Sequence, residues 1–493
     1  HSSANICSAI SMLAFMKLGI THSVIFNDLS EEAIKIRLKL LKSKIIISSA
    51  NNNDFNNKIL NIKNIKKIKF SEDDISNNKI VSITFSDLMK YKKKKIENIK
   101  YNFVNSNKAS FVLFTSGTTG QPKGIIHSTG GYLTYSKYTC IKQFGMNRNS
   151  IILTASDAGW INGHTYALYG PLSVGAKTIL LEKPLSLLSF EFLFKILNHH
   201  KVTILYLPVT LIRMIKAINF KSKYNSKYLK TLGSMGEPLS NYIGKWFSSA
   251  FSKKKLQVVN TYFQTETGGI IASPRYNDSI KSVPYGSVGK PINKFLDLII
   301  EKKNNRKPEI KIKNPWPGCL IGVINGKKFF KKYWDKNNFF KLFDVGSFDS
   351  KKNLIIHGRS DDVINIRGHR IGSAEIETVV SKLNEIHECC AVGVKDELEG
   401  HVLVVFYKSK NQKKLDDKIK NILIKNFGIF SIPKQSIELP GLPKTRSGKI
   451  LRRLMRELFE NPMKKDLGDL STILNKNLIN LIRDRITKTQ FKS

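Results

Sequence analysis

The sequence predicts an α/β protein: a large N-terminal region of several sheets with parallel βα layers, then a smaller α+β unit. Three observations carry this. Short apolar runs alternate with helix-length amphipathic segments over the first 300 residues, Gly, Pro and shorter apolar segments take over between 280 and 357, and the alternation restarts near 361. In order, Ile6 to Leu18 reads as an apolar helix, Ser23 to Phe26 as a strand, Glu31 to Leu41 as a Lys-rich amphipathic helix and Ile45 to Ile47 as a second strand. Residues 51–108 are rich in Asn and Lys and weakly patterned, which predicts a loop-heavy stretch. Beyond 111, Ile151 to Thr154, Thr178 to Leu181, Val202 to Leu207 and Gln257 to Asn260 read as strands between helices, and 280–357 as an antiparallel closing subdomain. Helix Ser373 to Leu383, strands Cys389 to Val394 and His401 to Tyr407, and helix Leu415 to Phe427 then form the second unit. The expected domains are 1–360 and 361–493, and no internal repeat is visible.

A chain of 493 residues with 41% apolar content has room for two or three domains, and no run of 18 uncharged apolar residues marks a membrane span. Cys7, Cys140, Cys319, Cys389 and Cys390 show neither metal-ligand spacing nor a dense disulfide framework, so a reducing, cytoplasmic setting is expected. The formal charge of +43 invites a nucleic-acid or membrane reading. Only 14 of the 81 basic residues are Arg, however, and the Lys excess is mixed with Asn and Ile. It reads as solvated surface charge from a biased composition, not as a surface of interleaved Arg and aromatics, so no specific nucleic-acid partner is expected. The first residue is His1, not Met, so the chain is read as lacking its start, together with any targeting segment that preceded it.

The most informative stretch is 114–127. A short apolar run ending at Phe114 feeds Thr115, Ser116, Gly117, Thr118, Thr119 and Gly120, with Lys123 just beyond. Glycines let backbone N–H groups turn inward, hydroxyls add donors and Lys supplies a mobile cation, which together suit a polyphosphate. The spacing is not that of a Walker A loop. Further on, Thr265 offers a hydroxyl to phosphate and Glu266 a carboxylate to Mg²⁺. The turn from Gly233 to Pro238 is suited to lay backbone against a purine, and Asp344 to accept both hydroxyls of a ribose.

With Arg359 to Asp362, Arg367 to Gly372 and Pro443 to Ile450, these motifs occur in the order found in the adenylate-forming superfamily, which the chain resembles over nearly its whole length. Ser156 to His164, Tyr169 to Leu172, Gln264 to Gly269 and Leu467 to Thr472 resemble the acetyl-CoA synthetases in particular. The resemblance implies an AMP-forming acetate–CoA ligase using acetate, ATP, CoA and Mg²⁺. Lys449 matches the catalytic lysine, and Thr115 to Lys123 would hold the pyrophosphate portion. Gly236, Glu237 and Pro238 would line the adenine site, while Asn260, Thr261, Tyr262, Phe263, Gln264 and Thr265 would cover adenine and the α-phosphate. Asp344 and Arg359 would meet the ribose, Arg370 the phosphates, and Glu266 the metal. Trp160, Ile161, Met235 and Phe263 match the acyl pocket, and Asn162, Ser186, Arg367 and Gly368 the CoA site. Asp361 matches the hinge of a mobile C-terminal domain.

The chain also departs from that pattern. Phe263 stands for the usual Trp, Met235 for Val, Asn260 for Asp, and Leu342 and Phe343 for the Thr-Gly before Asp344. On the CoA side, Asn162, Ser186, Arg367 and Ile424 replace Thr, Asn, Ser and Arg, so adenylation is expected to be retained while CoA affinity is altered. Leu383 replaces a His of a C-terminal metal site, which is not carried over. Two alternatives stay open: another short-chain acyl-CoA synthetase such as a propionyl enzyme, and a catalytically weakened basic protein that binds nucleic acid or membrane. Oligomeric state is not readable from the sequence.

Overall fold

Apolar runs buried on both faces make the strands of the central sheet. The computed structural model describes residues 1–27, 29–71, 81–90, 101–115, 122–182, 190–217, 226–301, 308–324, 327–359, 363–366, 369–396, 400–410, 415–445, 448–464, 466–467, 470, 473–475 and 477–490. Its central sheet has five parallel strands in the order Val258–Asn260, Thr231–Met235, Ile204–Pro208, Ile151–Thr154 and Lys177–Ile179. Side chains along each strand alternate between two cores. Ile204 and Tyr206 join the core containing Tyr135 and Phe144 of the Gly130–Phe144 helix. Leu205 and Leu207 join the core built with the Phe190–His199, Val209–Ala217 and Asn241–Ala250 helices.

Two antiparallel sheets flank this layer. One has the order Gly322–Ile324, Lys123–Ser128, Ala109–Thr115. The other runs Leu298–Glu301, Glu309–Ile312, Phe340–Phe348, Leu354–Arg359, which is the antiparallel segment expected over 280–357. From 363 onward the chain builds a separate sheet. Its strands His369–Gly372, Val363–Ile366, Gly400–Ser409 and Ile386–Asp396 are antiparallel, and Gln435–Glu438 lies parallel to Gly400–Ser409. Alternation again separates two cores. Ala391, Leu403, Val405 and Tyr407 pack with residues of the Ser373–Val380 and Asp416–Phe427 helices. Val392, Val404 and Phe406 pack with residues of the Arg452–Glu460 and Asn477–Gln490 helices.

The sequence reading needs correcting at two places. Ser23 to Phe26 is not a strand: a single parallel bridge joins His22 to Phe111, and the chain then turns, with Leu29 N–H donating to the Phe26 carbonyl. Ile25 and Phe26 are buried in an apolar cluster, so it is burial, not pairing, that selected their side chains. Within 51–108, Lys66–Ser71 and Val81–Thr84 form a three-stranded parallel sheet with Ile45–Ser48. Lysines masked the alternation there: Lys69 is buried, with its ammonium 5.3 Å from the Phe55 ring centre. None of the five cysteines is in a disulfide, and no described helix is long and apolar enough to cross a membrane.

Where the Lys123–Ser128 and Ala109–Thr115 strands meet the chain around 160–169, three histidines are buried together. The rings of Phe111 and His164 lie 4.6 Å apart, Phe111 and His127 5.2 Å, and His22 and His164 6.0 Å. Burial lowers His22 and His127 to about 4 and His164 to about 3, so all three fold as neutral imidazoles. An unfolded chain takes up these protons near pH 6.5, which the folded chain refuses until pH 3–4. Stability from this cluster is therefore complete above about pH 6.5 and declines as pH falls towards 4. Denaturant midpoints measured from pH 7 to 4 should fall over that window, and His164→Phe should make the fall shallower.

Candidate active site

Parallel strands end on one side, and the central sheet places two of the expected site segments there, with an unexpected third beside them. Met235 leads into Gly236, Asn260 into Thr261, and Pro208 into the helix that carries Thr210 and Arg213. Gly236 has φ +87, and nothing lies within 4 Å of where a side chain would stand, so backbone is presented to open space. The neighbouring Glu237 carboxylate accepts from Arg213 Nη1 at 2.7 Å and from Thr210 Oγ1 at 3.0 Å. Burial alone would raise its pKa, but the Arg213 charge, the Thr210 hydroxyl and the more distant Arg452 together hold it below the usual carboxylate range.

At the next strand end, the side chains of Asn260 and Thr261 are committed to the protein. Ser234 Oγ donates to Asn260 Oδ1 at 3.0 Å, Asn260 Nδ2 donates to the Ser287 carbonyl at 2.9 Å, and Thr261 Oγ1 donates to the Ser234 carbonyl at 2.8 Å. Tyr262 and Gln264 instead converge on Asp344. Tyr262 Oη lies 2.6 Å and Gln264 Nε2 2.5 Å from Asp344 Oδ2, and Gln264 Nε2 also donates to the Leu342 carbonyl at 2.7 Å. Phe343, beside it, has φ +54, a left-handed conformation that costs a bulky residue about 1 kcal/mol or more. Its ring packs edge-on against Tyr333 with centres 5.8 Å apart.

Thr265–Thr267 is one tight 3₁₀ turn, closed by Gln264 N–H donating to Thr267 Oγ1 at 3.0 Å. Gly268 follows at φ +69, where a Cβ would come 2.2 Å from the Gly318 carbonyl oxygen. His127 Nε2 lies 2.7 Å from the Thr265 carbonyl, so that neutral ring joins the Lys123–Ser128 strand to the turn. Lys123 lies on the same face of that strand as His127 and pairs in register with Thr115. Tyr333 Oη donates to Glu266 Oε1 at 2.6 Å and fixes the plane of the carboxylate. A hydroxyl and a carboxylate in one turn, both hard oxygen donors, fit Mg²⁺. No group of three or more His, Cys, Asp or Glu among the described residues is placed to hold a metal ion.

Lys449 arrives from the C-terminal region on a hairpin. Lys444 pairs with Ile450, and Thr445 N–H donates to the Lys449 carbonyl at 2.8 Å. Gly448 has φ +83, and a Cβ there would stand 2.7 Å from Thr210 Oγ1. The hairpin thus rests on the same threonine that holds Glu237, at the C-terminal edge of the central sheet.

The acyl-pocket candidates converge in part. Phe263 packs against the core containing Met235 and against the cluster containing Ile161, while the Trp160 ring lies 5.3 Å from that of Phe26. Asn162 is buried with its amide against the Met235 sulfur, so it stands with that group. Arg359 is opposite Asp344 in strand register and Arg370 opposite Asn365. Ser116, Gly117, Thr118, Thr119, Gly120, Ser186, Asp361, Arg367 and Gly368 lie outside the described residues. The tethers from Tyr333, Thr210 and Arg213 had no signal in the sequence reading, because none of them belongs to a motif, and His127, which closes the 114–127 stretch, was given no role there.

The AMP-binding enzyme family matches residues 6–334, and the AMP-binding enzyme C-terminal domain matches 375–449. Acetyl-coenzyme A synthetase 1 of Candida glabrata is 31% identical over 97% of this chain and 72% of its own length. Acetyl-coenzyme A synthetase of Chlorobaculum tepidum is 32% identical over 97% and 75%. Among solved structures, acetoacetyl-CoA synthetase from Streptomyces lividans superposes with TM-score 0.86 over 99% of this chain and 77% of that one, at 17% identity. An anthranilate CoA ligase in complex with anthranoyl-AMP gives 0.76 over 91% and 84%, at 18% identity. These two likenesses bear on the fold. The sequence matches decide the family: the chain belongs to the AMP-binding enzymes, alongside the acetyl-coenzyme A synthetases.

Proposed function

We propose that the protein is an AMP-forming acetate–CoA ligase. The observation that carries the reading is the docking of the Lys449 hairpin on Thr210, beside Gly236 and Glu237, where a purine and an α-phosphate would lie. In the first half-reaction a carboxylate oxygen of acetate bonds to the α-phosphorus of ATP, and the bond to the bridging oxygen of pyrophosphate breaks. In the second, the CoA thiolate bonds to the acetyl carbon and AMP leaves.

The barrier to the first step is repulsion between anions, so positioning and positive charge supply most of the catalysis. Lys449 brings a cation to the acetate and α-phosphate oxygens. Lys123, with Thr115 and the loop from Ser116 to Gly120, holds the departing pyrophosphate. Asp344, oriented by Tyr262 and Gln264, accepts the ribose hydroxyls. Glu266 and Thr265 would hold Mg²⁺, which would neutralise phosphate charge. Met235, Phe263 and Ile161 bound the acyl methyl, and closure of the C-terminal unit about Asp361 brings Lys449 in and later exposes the adenylate to thiol.

Acetate-dependent exchange of labelled pyrophosphate into ATP tests the reading. Exchange should require acetate and Mg²⁺, and Lys449→Ala should lower it by roughly a hundredfold or more, as for loss of a charge-stabilising donor. Exchange that ignores acetate, or survives Lys449→Ala, would sink the proposal. In the same assay, Met235→Ala should raise the propionate-to-acetate ratio of kcat/KM by about tenfold, the usual weight of one methylene in an apolar pocket.

A further inference from the structure

Lys449 is exposed, and four rotatable bonds separate its ammonium from the backbone, so its aim depends on how firmly its hairpin is held. The hairpin is anchored on both flanks. Before it, Lys444 Nζ lies 2.6 Å from Glu388 Oε1 on the Ile386–Asp396 strand. After it, Arg452 forks onto Glu377 of the Ser373–Val380 helix, with Nε 2.8 Å from Oε1 and Nη2 bonded to Oε2. The same Glu377 Oε1 accepts from the Ala391 N–H at 2.9 Å, which ties helix to strand. The four side chains are only 14–20% exposed, so water screens these pairs less than it does ordinary surface pairs. Burial would raise the Glu388 carboxyl, yet His387 and Lys444 hold it at about 2, so it is charged throughout the neutral range. Neither carboxylate touches the nucleotide site.

Accepting Lys449 as the adenylation lysine, we propose that Glu377 and Glu388 are positioning residues for the first half-reaction: they clamp the Lys449 hairpin to the helix and strand of the C-terminal unit, so that movement of the unit carries Lys449 as one rigid piece. With one flank released, the unit still docks, but Lys449 samples directions away from the α-phosphate. The second half-reaction does not use Lys449 and is indifferent to the clamp.

The test measures the two halves separately on the full chain: acetate-dependent pyrophosphate–ATP exchange, and conversion of supplied acetyl-adenylate and CoA to acetyl-CoA and AMP. Glu377→Gln, Glu388→Gln, Arg452→Gln and the double variant Glu377→Gln/Arg452→Gln are compared, with thermal melting as the check on folding. Exchange should drop by about 10- to 100-fold, the usual effect of an ångström of misplacement, while in Glu377→Gln and Glu388→Gln, which keep the Arg452 charge that acts on Glu237, the thiol step and the ATP KM stay unchanged. The double variant should lose no more than the worse single. Equal loss in both halves, no loss in exchange, or losses that multiply in the double variant would each overturn the proposal. Should Glu377→Gln fail to fold, Glu388→Gln, which leaves the Glu377–Ala391 bond in place, decides it. The wild-type and Lys449→Ala pair, run alongside, shows separately whether the reading of Lys449 stands.

Discussion

Parallel strands deliver all their C-terminal ends to one edge, and most of the candidate site hangs from that edge. Gly236, Thr261 and the helix bearing Thr210 leave adjacent strands within a few residues of their last pairing. The two-sided burial that makes such a sheet stable also fixes its strand ends to within a side chain's width. Nucleotide-binding loops placed there need no stability of their own, because the cores on both faces supply it.

Anion chemistry at this edge poses an electrostatic problem. A polyphosphate needs cations, yet Glu237, Glu266 and Asp344 all lie in the same region. Each carboxylate is tied to a donor: Arg213 and Thr210 for Glu237, Tyr333 for Glu266, Tyr262 and Gln264 for Asp344. Among these contacts Arg213 gives Glu237 a full opposite charge, while the donors to Glu266 and Asp344 are neutral hydroxyls and an amide that orient them for the proposed metal ion and sugar diol.

Departures from the family pattern have local physical consequences. Phe343 takes a left-handed conformation that glycine would adopt freely, and edge-on packing against Tyr333 accompanies that strain. Since Tyr333 also holds Glu266, the substitution is felt one contact away from the proposed metal ligand. Asn260 makes two hydrogen bonds, to Ser234 and Ser287, with acceptor and donor ends that an aspartate could not supply together.

The sequence by itself determined the α/β class, the antiparallel closing segment and the family, and it named the candidate site residues. Phosphate loops, the Thr265–Glu266 turn and the Lys449 hairpin are contiguous, and contiguous motifs keep their spacing whatever the rest of the chain does. Apolar runs such as Ile204 to Leu207 were equally legible, since burial on both faces demands them. Strands with lysine at alternate positions, such as Lys66–Ser71, were not, because a long alkyl stem buries like a hydrophobe while scoring as charge. Only the tertiary structure decided which side chains aim the active ones. Arg213 to Glu237, Tyr333 to Glu266, His127 to Thr265 and Arg452 to Glu377 span 24, 67, 138 and 75 residues. Such pairings arise from the crossing of packed layers, and no local spacing encodes them.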